Sequence, residues 1–75
     1  MDIKDATDKY LIKTSQDKGN VRHISLSLRR NKIETLEELK KEIATNPKKI
    51  EDMRGIGPYR MKILLDMVRV LDKEN

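Results

Sequence analysis

The chain has no cysteine, tryptophan or phenylalanine, one histidine and two tyrosines among 75 residues. Without cysteine there are no disulfides and no thiolate metal sites, which accords with an intracellular, cytoplasmic protein. A structural zinc site would have to be built from His23 and several carboxylates, an unusual ligand set. Tyr10 and Tyr59 are too few aromatics for a platform that stacks the bases of a single strand. No apolar run approaches the ~20 residues that span a bilayer. Asp2 and Asp5, with no apolar stretch behind them, do not read as a signal peptide. No cofactor is implied.

Catalytic sets are missing too. A Ser-His-Asp arrangement has no credible pocket in so short a chain. Glu37-Glu38 and Glu51-Asp52 stand next to lysines, as solvating charge rather than acid–base pairs. The expectation is a protein that is not an enzyme.

What is present is charge. Charged residues make up 40% of the chain and hydrophobic ones 36%. A chain of this size buries only ~60% of the surface its unfolded form exposes, so a single domain over residues 1–75 is expected. The net charge is +4, and it is unevenly spread. Between residues 40 and 62, seven bases (Lys40, Lys41, Lys48, Lys49, Arg54, Arg60, Lys62) face three acids (Glu42, Glu51, Asp52). That difference is the whole net charge. A basic cluster of this kind is either a solvated face or an anion-binding one.

Periodicity points to an all-α bundle of four to five short helices. Residues 1–19 are the least legible, although Ile3, Ala6 and Tyr10 fit one helical face. From Tyr10 to Leu28 two readings compete. The "DKGN" turn and the alternation of Ile24, Leu26 and Leu28 with Ser25 and Ser27 suit a β-hairpin followed by helices. Val21, Ile24 and Leu28 suit a helix capped by Asn20, and the helix is favoured. Downstream, Thr35 and Glu38 have the spacing of a capping box, followed by the stripe Leu36, Leu39, Ile43. Asn46 and Pro47 open a short helix carrying Ile50 and Met53. A last helix follows Pro58, with Met61, Leu64, Leu65, Val68 and Leu71 as its core stripe and residues 72–75 frayed. Ile63, Met67 and Val70 add a second apolar line, which the N-terminal segment is expected to cover.

The stretch "MRGIGPYRMK", residues 53–62, joins the last two helices. Its plain reading is a tight interhelical turn. Its functional reading is a helix-hairpin-helix. Gly55 ends the first helix with a positive φ, Ile56 locks the pair inward, and Gly57 lets a phosphate approach the N–H groups that open the next helix. Arg54, Tyr59, Arg60 and Lys62 flank that turn, and Lys48 and Lys49 precede it. These eight positions (Arg54, Gly55, Gly57, Tyr59, Arg60, Lys62, Lys48 and Lys49) are the candidate nucleic-acid-binding set.

"ISLSLRRNKIETLEELKK" followed by "IEDMRGIGPYRMKILLDMV" resembles the C-terminal domain of the bacterial RNA polymerase alpha subunit. Leu28, Ile33, Thr35, Leu36, Glu38 and Leu39 carry the first part of the likeness, and Ile50, Ile56 and Gly57 the second. It covers roughly residues 22–71. The resemblance implies a compact SAM-like helical unit in transcription that contacts double-stranded DNA and docks on RNA polymerase or a transcription regulator. The family's groove-reading arginine falls near His23, its asparagine on Leu26, and its Lys-Ser after the hairpin glycine on Tyr59 and Arg60. The implied grip is therefore on the backbone, largely without base reading. A protein-interaction module is the alternative.

Overall fold

The first three helix starts in this chain are set by short polar side chains. A computed structural model describes residues 1–73 and contains five helices among them: α1 (Ile3–Lys13), α2 (Lys18–Arg30), α3 (Leu36–Thr45), α4 (Pro47–Glu51) and α5 (Gly57–Asp72). Asp2 caps α1, accepting from the Asp5 N–H at 2.7 Å. Asp17 caps α2, accepting from the Gly19 N–H at 3.2 Å and from the Asn20 side-chain amide at 2.9 Å. Thr35 caps α3 through the Glu38 N–H at 3.1 Å, while its hydroxyl donates to the Glu38 carboxylate at 3.0 Å. Each such cap satisfies a donor that the helix itself leaves unpaired.

The β-hairpin alternative does not form. Residues 8–13 lie in α1 and 18–28 in α2; the sole strand-like pairing among the described residues is an isolated bridge between Asp2 and Thr35. The cap explains the outcome. It sits at Asp17, three residues before the expected Asn20, so "DKGN" becomes the first turn of a helix instead of a hairpin loop. Val21, Ile24 and Leu28 are then buried together, whereas Leu26, which the strand pattern would bury, is 46% exposed. Asn46 departs from expectation as well: it stands before Pro47 but makes no side-chain cap bond. It also closes α3, with its N–H donating to Glu42 O at 2.7 Å, and its backbone is committed to that junction.

The end of α2 is a Schellman-type stop. Ile33 N–H donates to Leu28 O at 2.9 Å and Lys32 N–H to Arg29 O at 3.1 Å, with Lys32 at φ 64° where glycine is usual. The chain then returns past its own start. Ile3 N–H donates to Glu34 O at 2.9 Å, Leu36 N–H to Met1 O at 2.8 Å, and the terminal amine reaches Glu37 at 3.2 Å.

One core joins all five helices: Ile3, Ala6 and Tyr10 from α1; Val21, Ile24 and Leu28 from α2; Leu36 and Leu39 from α3; Ile50 from α4; and an arc of α5. That arc differs from the expected stripe. Ile63 and Met67 are buried with Met61, Leu64 and Leu71, but Leu65 is exposed and Val68 only half-buried. α1 packs against α5 and draws the buried face toward Ile63 and Met67. Asp72 ends α5 and pairs with Lys40 of α3; of the expected frayed tail, Glu74 and Asn75 lie outside the described residues. No described helix is long and apolar enough to cross a membrane.

Tyr10 fastens α1 to α5. Its ring is buried and its hydroxyl donates to Asp66 at 2.6 Å. That bond, then the Arg69 guanidinium, hold the Asp66 carboxyl below the usual carboxylate range. Burial, then Asp66, push the Tyr10 phenol above its ordinary value. Tyr10→Phe should cost about 1–2 kcal/mol in urea unfolding, the worth of a hydrogen bond to a charged acceptor. The sign with pH follows from Asp66. Its contribution is present above the unfolded carboxyl pKa of about 4 and is lost as pH falls through the lower folded value. The variant should therefore lose less stability than the parent on acidification below about pH 4.

Candidate nucleic-acid interface

The segment joining α4 to α5 is residues 52–56, closed by hydrogen bonds from Met53 N–H to Ile50 O and from Ile56 N–H to Met53 O, both at 3.1 Å. α4 ends at Glu51, so Gly55 does not stop it directly as expected; it turns the chain three residues after the Asp52 cap. Met53 and Ile56 point into the core, 8% and 4% exposed, so the apolar side of the turn is anchored and its polar side faces out. Ile56 performs the inward lock expected of it.

The turn is bolted to α2. Ser27 Oγ donates to Arg54 O at 2.8 Å. Gly55 has φ 93°, and a Cβ there would stand 2.5 Å from Ser27 Oγ. Glycine is thus required twice at this position, by conformation and by space. Arg60 completes the attachment: its Nε donates to Asn20 Oδ1 at 2.9 Å and its Nη1 to Gly55 O at 2.8 Å.

Gly57, the first residue of α5, has φ 65°, and a Cβ there would meet nothing within 4 Å. Its requirement is conformational, and the space beside it is open. Ile56, at the N-cap position, supplies no side-chain cap, and Pro58 has no N–H. The N–H groups of Gly57 and Tyr59 have no partner among the described residues. Both donors stand at the positive end of a 16-residue helix.

The candidate residues divide into three groups around these donors. Arg54 and Lys62 are exposed, and no described carboxylate pairs with either; Tyr59, 64% exposed, lies beside Lys62 on α5. Lys48 and Lys49 lie on α4 and are already paired: Lys48 with Asp52 at 3.3 Å and Glu51 at 3.9 Å, Lys49 with Glu42 at 3.4 Å. Arg60 is half-buried and spends two nitrogens inside the protein, so it is first a structural strap and only secondarily a surface charge.

Two residues that hold the site escaped the sequence reading. Ser27 looked like the polar partner in an alternating strand and Asn20 like a cap; both are long-range partners of the turn. Small polar side chains on a helix face that also carries Ile24 were the available signal. His23 and Arg30 lie one turn either side of Ser27 on α2, and both are exposed. No protein-family model matches this chain, and no curated protein or solved structure matches it either.

The two glycines should respond differently to substitution. Gly55→Ala combines positive-φ strain with loss of the Ser27 bond, about 2–3 kcal/mol, while Gly57→Ala carries only the strain, about 1 kcal/mol. Adding Ser27→Ala to Gly55→Ala should recover part of the loss, because the obstructing hydroxyl is gone. Urea unfolding of the three variants measures this, and equal costs at the two glycines would contradict the seating of the turn on α2.

Proposed function

We propose that this protein is a small non-catalytic DNA-binding module that grips the phosphate backbone of a duplex through the turn between α4 and α5, used as a helix-hairpin-helix. The observation that carries this reading is the open start of α5: the N–H groups of Gly57 and Tyr59 are unpaired, and no side chain fills the space beside Gly57. A phosphate oxygen accepts from such donors without displacing any protein group. Arg54 and Lys62 flank it in sequence with positive charge that no described carboxylate pairs. The likeness of residues 22–71 to the polymerase alpha C-terminal domain supports a role in transcription.

The grip is on the backbone. Direct reading of base edges calls for bidentate side chains such as arginine on guanine or asparagine on adenine. Leu26 offers no such pairing, and Arg60 is occupied by Asn20 and Gly55. Affinity then comes from counterion release, with a log–log salt slope of about −0.9 per phosphate contacted. Two to three contacts give a slope of about −2 to −3 and weak binding at physiological salt.

Anisotropy titrations of a labelled duplex over a salt series test this. Arg54→Ala and Lys62→Ala should each flatten the slope by about one unit, equally for unrelated duplex sequences. Lys48→Ala and Lys49→Ala should change it less, because those charges are already paired. Lys73→Ala, about 24 Å along α5 from Gly57, should leave it unchanged. A salt-independent affinity, or equal losses from Arg54→Ala and Lys73→Ala, would overturn the reading.

A further inference from the structure

α1 and α2 leave a groove between them of about 340 Å³, on the flank of α2 away from the α4–α5 turn. Its floor is apolar: Leu11 from α1, Val21 and Leu26 from α2. Leu26 lines the groove and is 46% exposed. Ser25 also lines it, is only 6% exposed, and its hydroxyl bonds to no other described residue. An α-helical serine in a closed core would turn that hydroxyl back to its own backbone, as Thr7 does with Ile3 O at 3.0 Å.

The two walls differ in charge. On α1, Lys4 is matched by Asp8 at 3.6 Å, so that side is neutral. On α2, Arg22 and Arg29 stand on the same face as Leu26, one on each side of it, and no described carboxylate pairs with either. A cation, an exposed leucine and a second cation follow one another along about 10 Å of helix.

We infer that this groove docks an acidic amphipathic peptide segment from a partner protein, with an apolar side chain on Leu11 and Leu26 and carboxylates on Arg22 and Arg29. Charge complementarity selects the occupant: the free charge along the groove is positive, and arginine donates two N–H groups to a carboxylate in a fixed fork geometry. The free Ser25 hydroxyl supplies one hydrogen bond at the floor. A duplex backbone is a poor match, because it offers phosphate but no apolar group for Leu26. The surface is distinct from the α5 start, and the inference does not rest on DNA binding there.

Amide NMR of the full chain tests it with three probes: a synthetic peptide of glutamates and spaced leucines, the same peptide with the leucines replaced by serine, and a short DNA duplex. The leucine peptide should shift amides of α1 and α2 around Leu11, Ser25 and Leu26 and leave Gly57 and Tyr59 unmoved. Arg22→Glu with Arg29→Glu should weaken it at least about tenfold, and Leu26→Ser should weaken it with the charges intact. All three residues are exposed, so the fold is retained, which the unperturbed core amides report. Equal binding of the serine peptide would reduce the effect to diffuse charge and overturn the inference. So would displacement of the leucine peptide by the duplex. A concentration-dependent dimer abolished by Leu26→Ser would assign the groove to a second copy of the chain and overturn it equally. Loss of duplex binding in the Arg54 and Lys62 variants leaves these outcomes unaffected, so the two readings fail separately.

Discussion

The turn at Arg54 and Gly55 ties the last two helices to α2. Arg54 O accepts from Ser27 Oγ, Arg60 donates to Asn20 Oδ1 and to Gly55 O, and Gly55 brings its bare α-carbon against Ser27. A five-residue helix such as α4 has no stability of its own, because nucleating a helix costs more than its few hydrogen bonds return. Its position is set by Ile50, Met53 and Ile56 in the core and by those two carbonyls. With the carbonyls committed inward, the free donors at the start of α5 are left facing out. Structural attachment and exposed chemistry are two sides of one turn.

The same economy governs charge. A domain this small cannot bury ions cheaply, and its ion pairs are surface pairs of modest worth. Their distribution still matters for function. Lys48, Lys49, Lys40 and Lys4 each have a carboxylate nearby, while Arg22, Arg29, Arg54 and Lys62 have none among the described residues. Arg54 and Lys62 flank the α5 start, and Arg22 and Arg29 line the α1–α2 groove. Of the seven bases in residues 40–62, Lys40, Lys48 and Lys49 are paired, Arg60 is bound to Asn20 and Gly55, and Lys41, Arg54 and Lys62 have no carboxylate partner among the described residues.

Much of the architecture was legible because local signals agreed with one another. Thr35 with Glu38, Pro47, and the apolar spacing after Pro58 each mark an element by mechanisms that act within one or two helical turns. Legibility ended where distant residues decide. Val21–Leu28 satisfies helix and strand periods at once, and the Asp17 cap with the packing of α1 chose between them. The buried arc of α5 depends on where α1 lies, which is why Ile63 and Met67 replaced Leu65. Lys32 at positive φ gave no glycine to mark the end of α2. At the candidate site, Gly55, Ile56 and Gly57 were readable from the turn itself. The commitment of Arg60 to Asn20, 40 residues earlier in the chain, was not.

The most direct measurement is an amide NMR titration of the intact chain with a short duplex at about 50 and about 200 mM salt. The account predicts that the largest shifts fall on the Gly57 and Tyr59 amides, with smaller ones at Arg54 and Lys62, and that they shrink sharply at the higher salt. Shifts spread evenly over the lysines of α3 and α4, or centred on α5 near Lys73, would contradict it.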